Sequence, residues 1–183
     1  TALGDASLYY STGNYNTAVG SSALFNNTTA SNNTAVGYQA GYSNTTGGSS
    51  VAIGTQALYT ATTNGGAVAV GYQAGFTYNS STEDVGSVFV GFYAGNAVTT
   101  APNSTLIGAY SGRLITTGTS NSALGGGTLF STTTGAYNTA IGKDALKSNT
   151  TASNNTSVGY QSGYQTAGGS GNSYFGVSAG YNV

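Results

Sequence analysis

Cysteine, histidine, methionine and tryptophan are all absent from this 183-residue chain, and proline occurs once. Without cysteine neither a disulfide nor a thiolate metal site can form. Without histidine the commonest general base, metal ligand and pH switch is gone. Charge is nearly missing too: charged residues make up 4% of the chain, Lys and Arg total three, and the formal net charge is −1. Nucleic-acid binding is not expected, because neutralising phosphates takes clustered cations. No apolar run approaches the roughly 20 residues needed to span a bilayer, so membrane insertion is not expected either. No signal peptide is visible, and a start at Thr1 reads as a processed or excised piece.

What is present is glycine, at 30 residues, with Ser, Thr and Asn filling most of the rest. Such a composition by itself fits a disordered, low-complexity chain. The 38% of hydrophobic residues and their strict placement argue for a folded one. The placement is a repeat. The stretch Asn33-Thr34-Ala35-Val36-Gly37-Tyr38-Gln39-Ala40-Gly41-Tyr42 has relatives along the whole chain, and internal repeats decide the fold before anything else does. Its anchor glycines are Gly4, Gly20, Gly37, Gly54, Gly71, Gly91, Gly108, Gly125, Gly142, Gly159 and Gly176. The spacing is 17 residues, except 16 at the first interval and 20 between Gly71 and Gly91.

The residue before each anchor is always apolar, from Leu3 and Val19 to Val158 and Phe175. Two residues earlier stands Thr, Val or Ser, as in Thr34, Val51 and Thr139. These two positions share one face of a strand, since side chains alternate with period two. The position between them is mostly Ala, with Phe89, Leu106, Ser157 and Tyr174 as exceptions. The strand therefore reads as β-branched residues inward and small residues outward. On that reading the alanine row is a flat assembly face, from which Phe89, Leu106 and Tyr174 project as larger contacts.

Four residues past the anchor the chain admits only Leu or Gly: Leu8, Leu24, Leu58, Leu129 and Leu146 against Gly41, Gly75, Gly95, Gly112, Gly163 and Gly180. Where Gly occurs, the residue just after the anchor is often aromatic: Tyr38, Tyr72, Phe92 or Tyr160. This predicts volume exchange, with a ring folded over the glycine to fill the missing leucine. Ala109 and Val177 depart from the rule. Just before the strand sits Asn or Ser in nearly every copy, as in Asn16, Asn33, Ser50, Asn121, Asn138 and Asn155. Stacked once per coil, these predict a ladder of amides and hydroxyls.

A unit of 17 residues with one strand and one corner cannot bury its apolar side alone, and stacking solves this. The expected fold is all-β, a parallel β-solenoid of about eleven 17-residue coils forming one domain over residues 1–183. At roughly 4.8 Å per coil it makes a rod about 50 Å long. The octapeptide from Asn27 to Thr34 recurs identically from Asn149 to Thr156, 122 residues (149 − 27) or seven coils later. Capping coils are not evident, so the ends are expected to pair with further copies or further chain.

Chemistry finds little purchase. Serine and threonine are abundant, but no base is available to activate one. Glu83-Asp84 lies in the only three-residue insertion and reads as a solvated loop, too poor in oxygens for a Ca²⁺ site. Lys143, Asp144 and Lys147 read as a surface ion pair. No catalytic residue, metal ligand or cofactor is nominated. The aromatics five residues past the anchors stand out: Tyr9, Phe25, Tyr42, Tyr59, Phe76, Phe130, Tyr164 and Tyr181. Stacked along one edge they form a ring ladder. Its bland meaning is packing between coils or subunits. Its sharper meaning is a glycan-binding strip carried by Tyr9, Tyr42, Tyr59, Tyr164 and Tyr181.

The copies Asn16-Thr17-Ala18-Val19-Gly20, Asn33-Thr34-Ala35-Val36-Gly37 and Ser50-Val51-Ala52-Ile53-Gly54 resemble the head repeats of trimeric autotransporter adhesins, and equally the similar repeats of some phage tail fibres. The resemblance covers essentially the whole chain. It implies a left-handed β-roll, usually trimeric, outside the cell or on a virion, serving as an adhesin or fibre shaft. The present repeat is longer than the usual adhesin-head repeat, and the chain shows no neck, stalk, anchor or chaperone domain. The expected function is a non-enzymatic structural or adhesive element of an extracellular fibre or filament, a homo-oligomer, whether trimer or end-to-end filament, that meets a host-surface glycan or protein receptor. The alternative is a surface-binding module that reads glycans or ice through its aromatic or Thr rows. Interruption by Val51, Val68 and Val88, and an inward orientation of the Thr row, weigh against ice.

Overall fold

Each copy of the pentapeptide becomes one short strand. The computed structural model describes residues 1–63, 65–80, 86–166 and 168–183. The eleven strands are β1 (Ala2–Leu3), β2 (Thr17–Val19), β3 (Thr34–Val36), β4 (Val51–Ile53), β5 (Val68–Val70), β6 (Val88–Val90), β7 (Thr105–Ile107), β8 (Ser122–Leu124), β9 (Thr139–Ile141), β10 (Thr156–Val158) and β11 (Ser173–Phe175). They form one parallel sheet in sequence order, a β-solenoid, and coils are numbered here with their strands. Register follows the repeat residue for residue, as Ala18 pairs with Ala35 and Ala35 with Ala52. The long interval leaves it intact: Ala69 still faces Phe89. The acidic pair Glu83-Asp84 of that insertion lies outside the described residues.

Local backbone chemistry explains the anchor. The anchor glycines have φ between 119° and 138°, a region side chains rarely adopt. A Cβ on Gly37 would also stand 2.7 Å from the carbonyl carbon and oxygen of Gly54, the anchor of the next coil. The column of glycines is thus required twice over, by conformation and by contact. Two and four residues further on the chain again turns left-handed, as at Gln39 (φ 54°) and Leu58 (φ 51°). Between them the peptide groups reverse. Gly37 and Gln39 donate back to the carbonyls of Val19 and Ser21, whereas Gly41 and Ser43 donate forward to those of Ala57 and Tyr59. Each coil is hydrogen-bonded to a neighbour around its perimeter, and not through its strand alone.

The strand faces the opposite way from the sequence expectation. Ala18, Ala35, Ala52, Ala69, Ala123 and Ala140 are buried, while the flanking Thr and Val residues are only half-buried. Leu124 is 51% exposed, and Ile53 and Ile141 are also exposed. Phe89 and Leu106 are fully buried, so they are core residues and not projections from an assembly face. Tyr174 turns inward as well, its ring lying where a Cβ on Gly163 or Gly180 would go. The reason is width. A coil of 17 residues leaves room for alanine along most of its strand row, because the core is also entered from the corner and the return segment.

Volume exchange is real, but its partners differ from those expected. Tyr38, Tyr72, Phe92 and Tyr160 all stand in solvent, Tyr38 at 50% exposure, and roof nothing. The space over Gly95 is filled by Phe89, and that over Gly112 by Leu106 and Ile115. The space over Gly41 is entered by Leu24 from the preceding coil. No coil carries a large residue at both the strand centre and the corner, and each coil that carries neither lies between two that carry one. Around Gly41, Leu24 and Leu58 the leftover cavity is only about 10 Å³.

The predicted amide ladder is present. Asn33 accepts the backbone N–H of Ser50 on its Oδ1 at 2.9 Å, and its Nδ2 donates to the Gly47 carbonyl. In later coils Asn138 Oδ1 receives both the N–H and the Nδ2 of Asn155, at 3.0 and 3.2 Å. These amides are buried, and each is satisfied by the coil next to it. Ala67 is the single gap in the row that the Asn and Ser pattern left unexplained.

Candidate functional site

Because the repeat stacks in register, any position becomes a column on the surface. The column five residues past the anchor is the candidate site. In coils 1 to 5 it is a continuous ladder of rings. Tyr9 stacks on Phe25, Phe25 on Tyr42, Tyr42 on Tyr59 and Tyr59 on Phe76, with centroids 5.1–5.3 Å apart and planes within 12°. Tyr164 and Tyr181 stack likewise at 4.9 Å. The structure therefore brings the five nominated tyrosines into one column but not into one ladder, with three in the first run and two in the second.

The stacking limits what the first run can do. A sugar is held by the open face of an aromatic ring. In this ladder the faces of Phe25, Tyr42 and Tyr59 are covered by their neighbours, which leaves their edges to solvent. Beside it runs a second ladder, of glutamines: Gln56 Nε2 donates to Gln39 Oε1 at 3.0 Å, and Gln73 Nε2 to Gln56 Oε1 at 2.8 Å. Both ladders tie coil to coil.

From coil 6 onward the column changes. Asn96 replaces a ring, then come Arg113, Phe130 and Lys147. The Arg113 guanidinium carbon lies 5.2 to 5.8 Å from the ring centroids of Tyr93, Tyr110 and Phe130. Lys147 Nζ sits 5.6 Å from the Tyr164 centroid and pairs with Asp144 Oδ1 at 2.9 Å. The expected ion pair is thus present. Asp144, however, is 8% exposed, buried more deeply than an ordinary surface carboxylate. The hydrogen bond from Lys147 to Asp144 raises the lysine pKa above its ordinary value, against a smaller push downward from desolvation. Tyr93 is raised as well, first through its hydrogen bond with Tyr72.

Between these residues the surface is notched. Coils 3, 5 and 10 carry Tyr-Gln just past the anchor, where coil 8 carries Gly126-Gly127. The missing side chains leave an open concavity of about 360 Å³ whose walls include Tyr110, Phe130, Lys143, Asp144 and Lys147. The rings of this column are its conspicuous members, and its exceptions carry the charge. Reading the column entire shows that two of its three non-aromatic members, Arg113 and Lys147, are cations. Among the described residues no three His, Cys, Asp or Glu side chains gather as a metal site requires, and no helix is long and apolar enough to cross a membrane.

Comparison with protein-family models found no matching family, and neither curated proteins nor solved structures gave a match.

Proposed function

We propose that this chain is a non-enzymatic structural and adhesive β-solenoid, part of an extracellular fibre or filament in which copies associate side by side. The supporting observation is the strand face. Along eleven coils it turns Thr, Val, Ile and Leu outward in two rows, and among them Ile53, Leu124 and Ile141 are exposed. At roughly 4.8 Å per strand and 3.3 Å per residue, this face covers about 500 Å². The exposed rings Tyr38, Tyr72, Phe92 and Tyr160 lie one corner away and widen it. One of the face's two rows is apolar throughout, from Leu3 to Phe175, while the other mixes Val with Thr and Ser. A continuous apolar row marks an interaction surface, and a standard interface needs about 800 Å² per partner. The assembly face is then the β-branched one and not the alanine row. The resemblance of the pentapeptides to adhesin and tail-fibre repeats points the same way and favours a homotrimer.

Light scattering and cryo-electron microscopy of the purified protein test this reading. A homo-oligomer is expected, and Ile53→Lys with Leu124→Lys should release folded single rods. A strictly monomeric wild-type particle at high concentration would sink it.

One observation favours a second reading. Thr17, Thr34, Thr105, Thr139 and Thr156 lie on the outward strand face and not inward, which suits an ice- or surface-binding plane better than the sequence suggested. The row is still broken by Val51, Val68 and Val88. Thermal hysteresis in the wild type, lost in Thr34→Leu with Thr139→Leu, would establish it, and a blank measurement would dispose of it.

A further inference from the structure

All three cations of the chain, Arg113, Lys143 and Lys147, lie in coils 7 to 9, and this protein has no others. Two of them, Lys143 and Lys147, line the notch over Gly126 and Gly127, and the Arg113 guanidinium carbon lies 5.4 and 5.8 Å from the centroids of the Tyr110 and Phe130 rings that help to wall it. Lys147 is already paired with Asp144, whereas Lys143 is exposed and has no ion-pair partner among the described residues. A chain that is almost free of charge thus gathers its Lys and Arg side chains around a surface concavity.

The rings differ here from those of the first ladder. Phe130 has Arg113 and Lys147 as its neighbours in the column, and its nearest ring, Tyr110, is tilted by 60° at 6.3 Å. Phe130 is therefore not stacked between parallel rings as Tyr42 is. The concavity, about 360 Å³, falls within the range of small-ligand sites. It combines an aromatic wall, an unpaired ammonium and a largely buried carboxylate.

From this combination we propose that the notch of coils 7 to 9 binds a carboxylated pyranose, the acidic unit of a uronate- or sialate-bearing glycan. Lys143 takes the sugar carboxylate, a charge-assisted bond. Phe130 and Tyr110 take the apolar C–H face of the ring. Asp144, held in place by Lys147, accepts from sugar hydroxyls. An acidic peptide fits less well, because it offers no ring for the aromatic wall and its carboxylates meet Asp144. The site gives the adhesive part of the proposed function a receptor chemistry. It rests on that reading for its biological sense alone, since it is read by titration and not by assembly state.

The sequence itself supplies the best blocking variant. Gly126→Tyr restores the residue found at this position in coils 3, 5 and 10. A Cβ at Gly126 meets nothing closer than the Ala109 carbonyl oxygen at 3.8 Å, so the change fills the notch without straining the coil. Titration of the whole chain, followed by calorimetry and tyrosine fluorescence, uses a hyaluronan tetrasaccharide and sialyllactose as acidic probes, maltotetraose and lactose as neutral ones, and a hexaglutamate peptide. At least one acidic saccharide should bind and neutral sugars should not. Lys143→Gln should weaken binding about tenfold, as loss of a charged hydrogen bond does. Gly126→Tyr should abolish it while the melting temperature stays unchanged. The proposal is overturned if neither acidic sugar binds at millimolar concentration, if Gly126→Tyr binds as well as wild type, or if hexaglutamate binds as tightly as the sugars.

Discussion

One column of side chains is used in two ways in this molecule. Between Tyr9 and Phe76 it is a closed stack, each ring covering the next, over a core built mainly of Ala, Leu and Asn. Between Asn96 and Lys147 the rings are interrupted by cations, and the core beneath is at its largest where the ladder stops: Tyr78, Phe89, Val98, Leu106 and Ile115 are all fully buried in coils 5 to 7. The backbone register is the same in both stretches. Within the strands, therefore, the difference lives in side chains. A surface ladder and a large inner core are two ways to bind neighbouring coils, and where the second is strong the column is released for other chemistry.

That comparison is most severely tested at Phe89. It fills the space over both Gly75 and Gly95, so Phe89→Ala leaves a cavity no neighbour can close. The expected loss is about 3–5 kcal/mol. Because each coil touches only its neighbours, the damage should be local. Hydrogen exchange should show protection lost in coils 5 to 7 and kept in coils 1 to 3. Uniform loss along the rod would mean that the two stretches are not separable.

A smaller effect separates the amide ladders of the two stretches. Asn138 makes bonds to Asn121, Ala152 and Asn155, using both ends of its amide. Asn33 makes fewer, and the same row tolerates Ala67 two coils on. Asn138→Ala should cost about 1–3 kcal/mol, the penalty for stranding buried polar groups. Asn33→Ala should cost less, and denaturant melts of the two variants compare them directly. Equal losses would remove this distinction.

The rings come next. Tyr42→Ala breaks two parallel stacks, each worth about 0.5–1.5 kcal/mol beyond burial, whereas Phe130→Ala loses the contact with Arg113, about 0.5–1 kcal/mol. The expected order in calorimetry is Tyr42→Ala below Phe130→Ala in melting temperature. Tyr38→Ala, which removes a ring that stands in solvent, should fall near wild type. A reversed order would show that Phe130 is a structural ring and not a freed one.

Most of the fold was legible. The period gave the coil, the alternation gave the strand, and the column of Asn and Ser gave the buried ladder. What alternation does not disclose is which face is inside. Hydrophobic rank favours Val36 over Ala35, yet a narrow coil filled from three sides accepts the smaller residue and leaves the larger one out. The deciding signal was present in the residues: the large strand-centre residues Phe89, Leu106 and Tyr174 each precede a glycine, Gly95, Gly112 and Gly180, six residues on. That coupling makes sense only if both positions point into the same space. The ring column was legible as a column, but its function was not, because stacking of ring on ring is a matter of spacing that only coordinates supply.

The smallest expected effect concerns the pair that fixes Asp144 in the second stretch. The pKa of Lys147 is raised in the folded chain by its hydrogen bond to Asp144, so the pair stabilises the fold fully below the ordinary lysine value, about 10.4. That contribution is lost as pH rises through the raised value, because the deprotonated amine no longer answers the carboxylate. Lys147 is one-third exposed, which keeps the contribution within the range of a surface pair, about 0–1 kcal/mol. The difference in melting temperature between wild type and Lys147→Gln should therefore be constant from pH 7 to 10 and close only above that. Tyr164 lies against Lys147 and adds to the upward push on the lysine, so both proteins carry Tyr164→Phe in this comparison. A difference that closed by pH 8 would mean that Asp144 is positioned by something other than Lys147, and the carboxylate of the notch would then need another anchor.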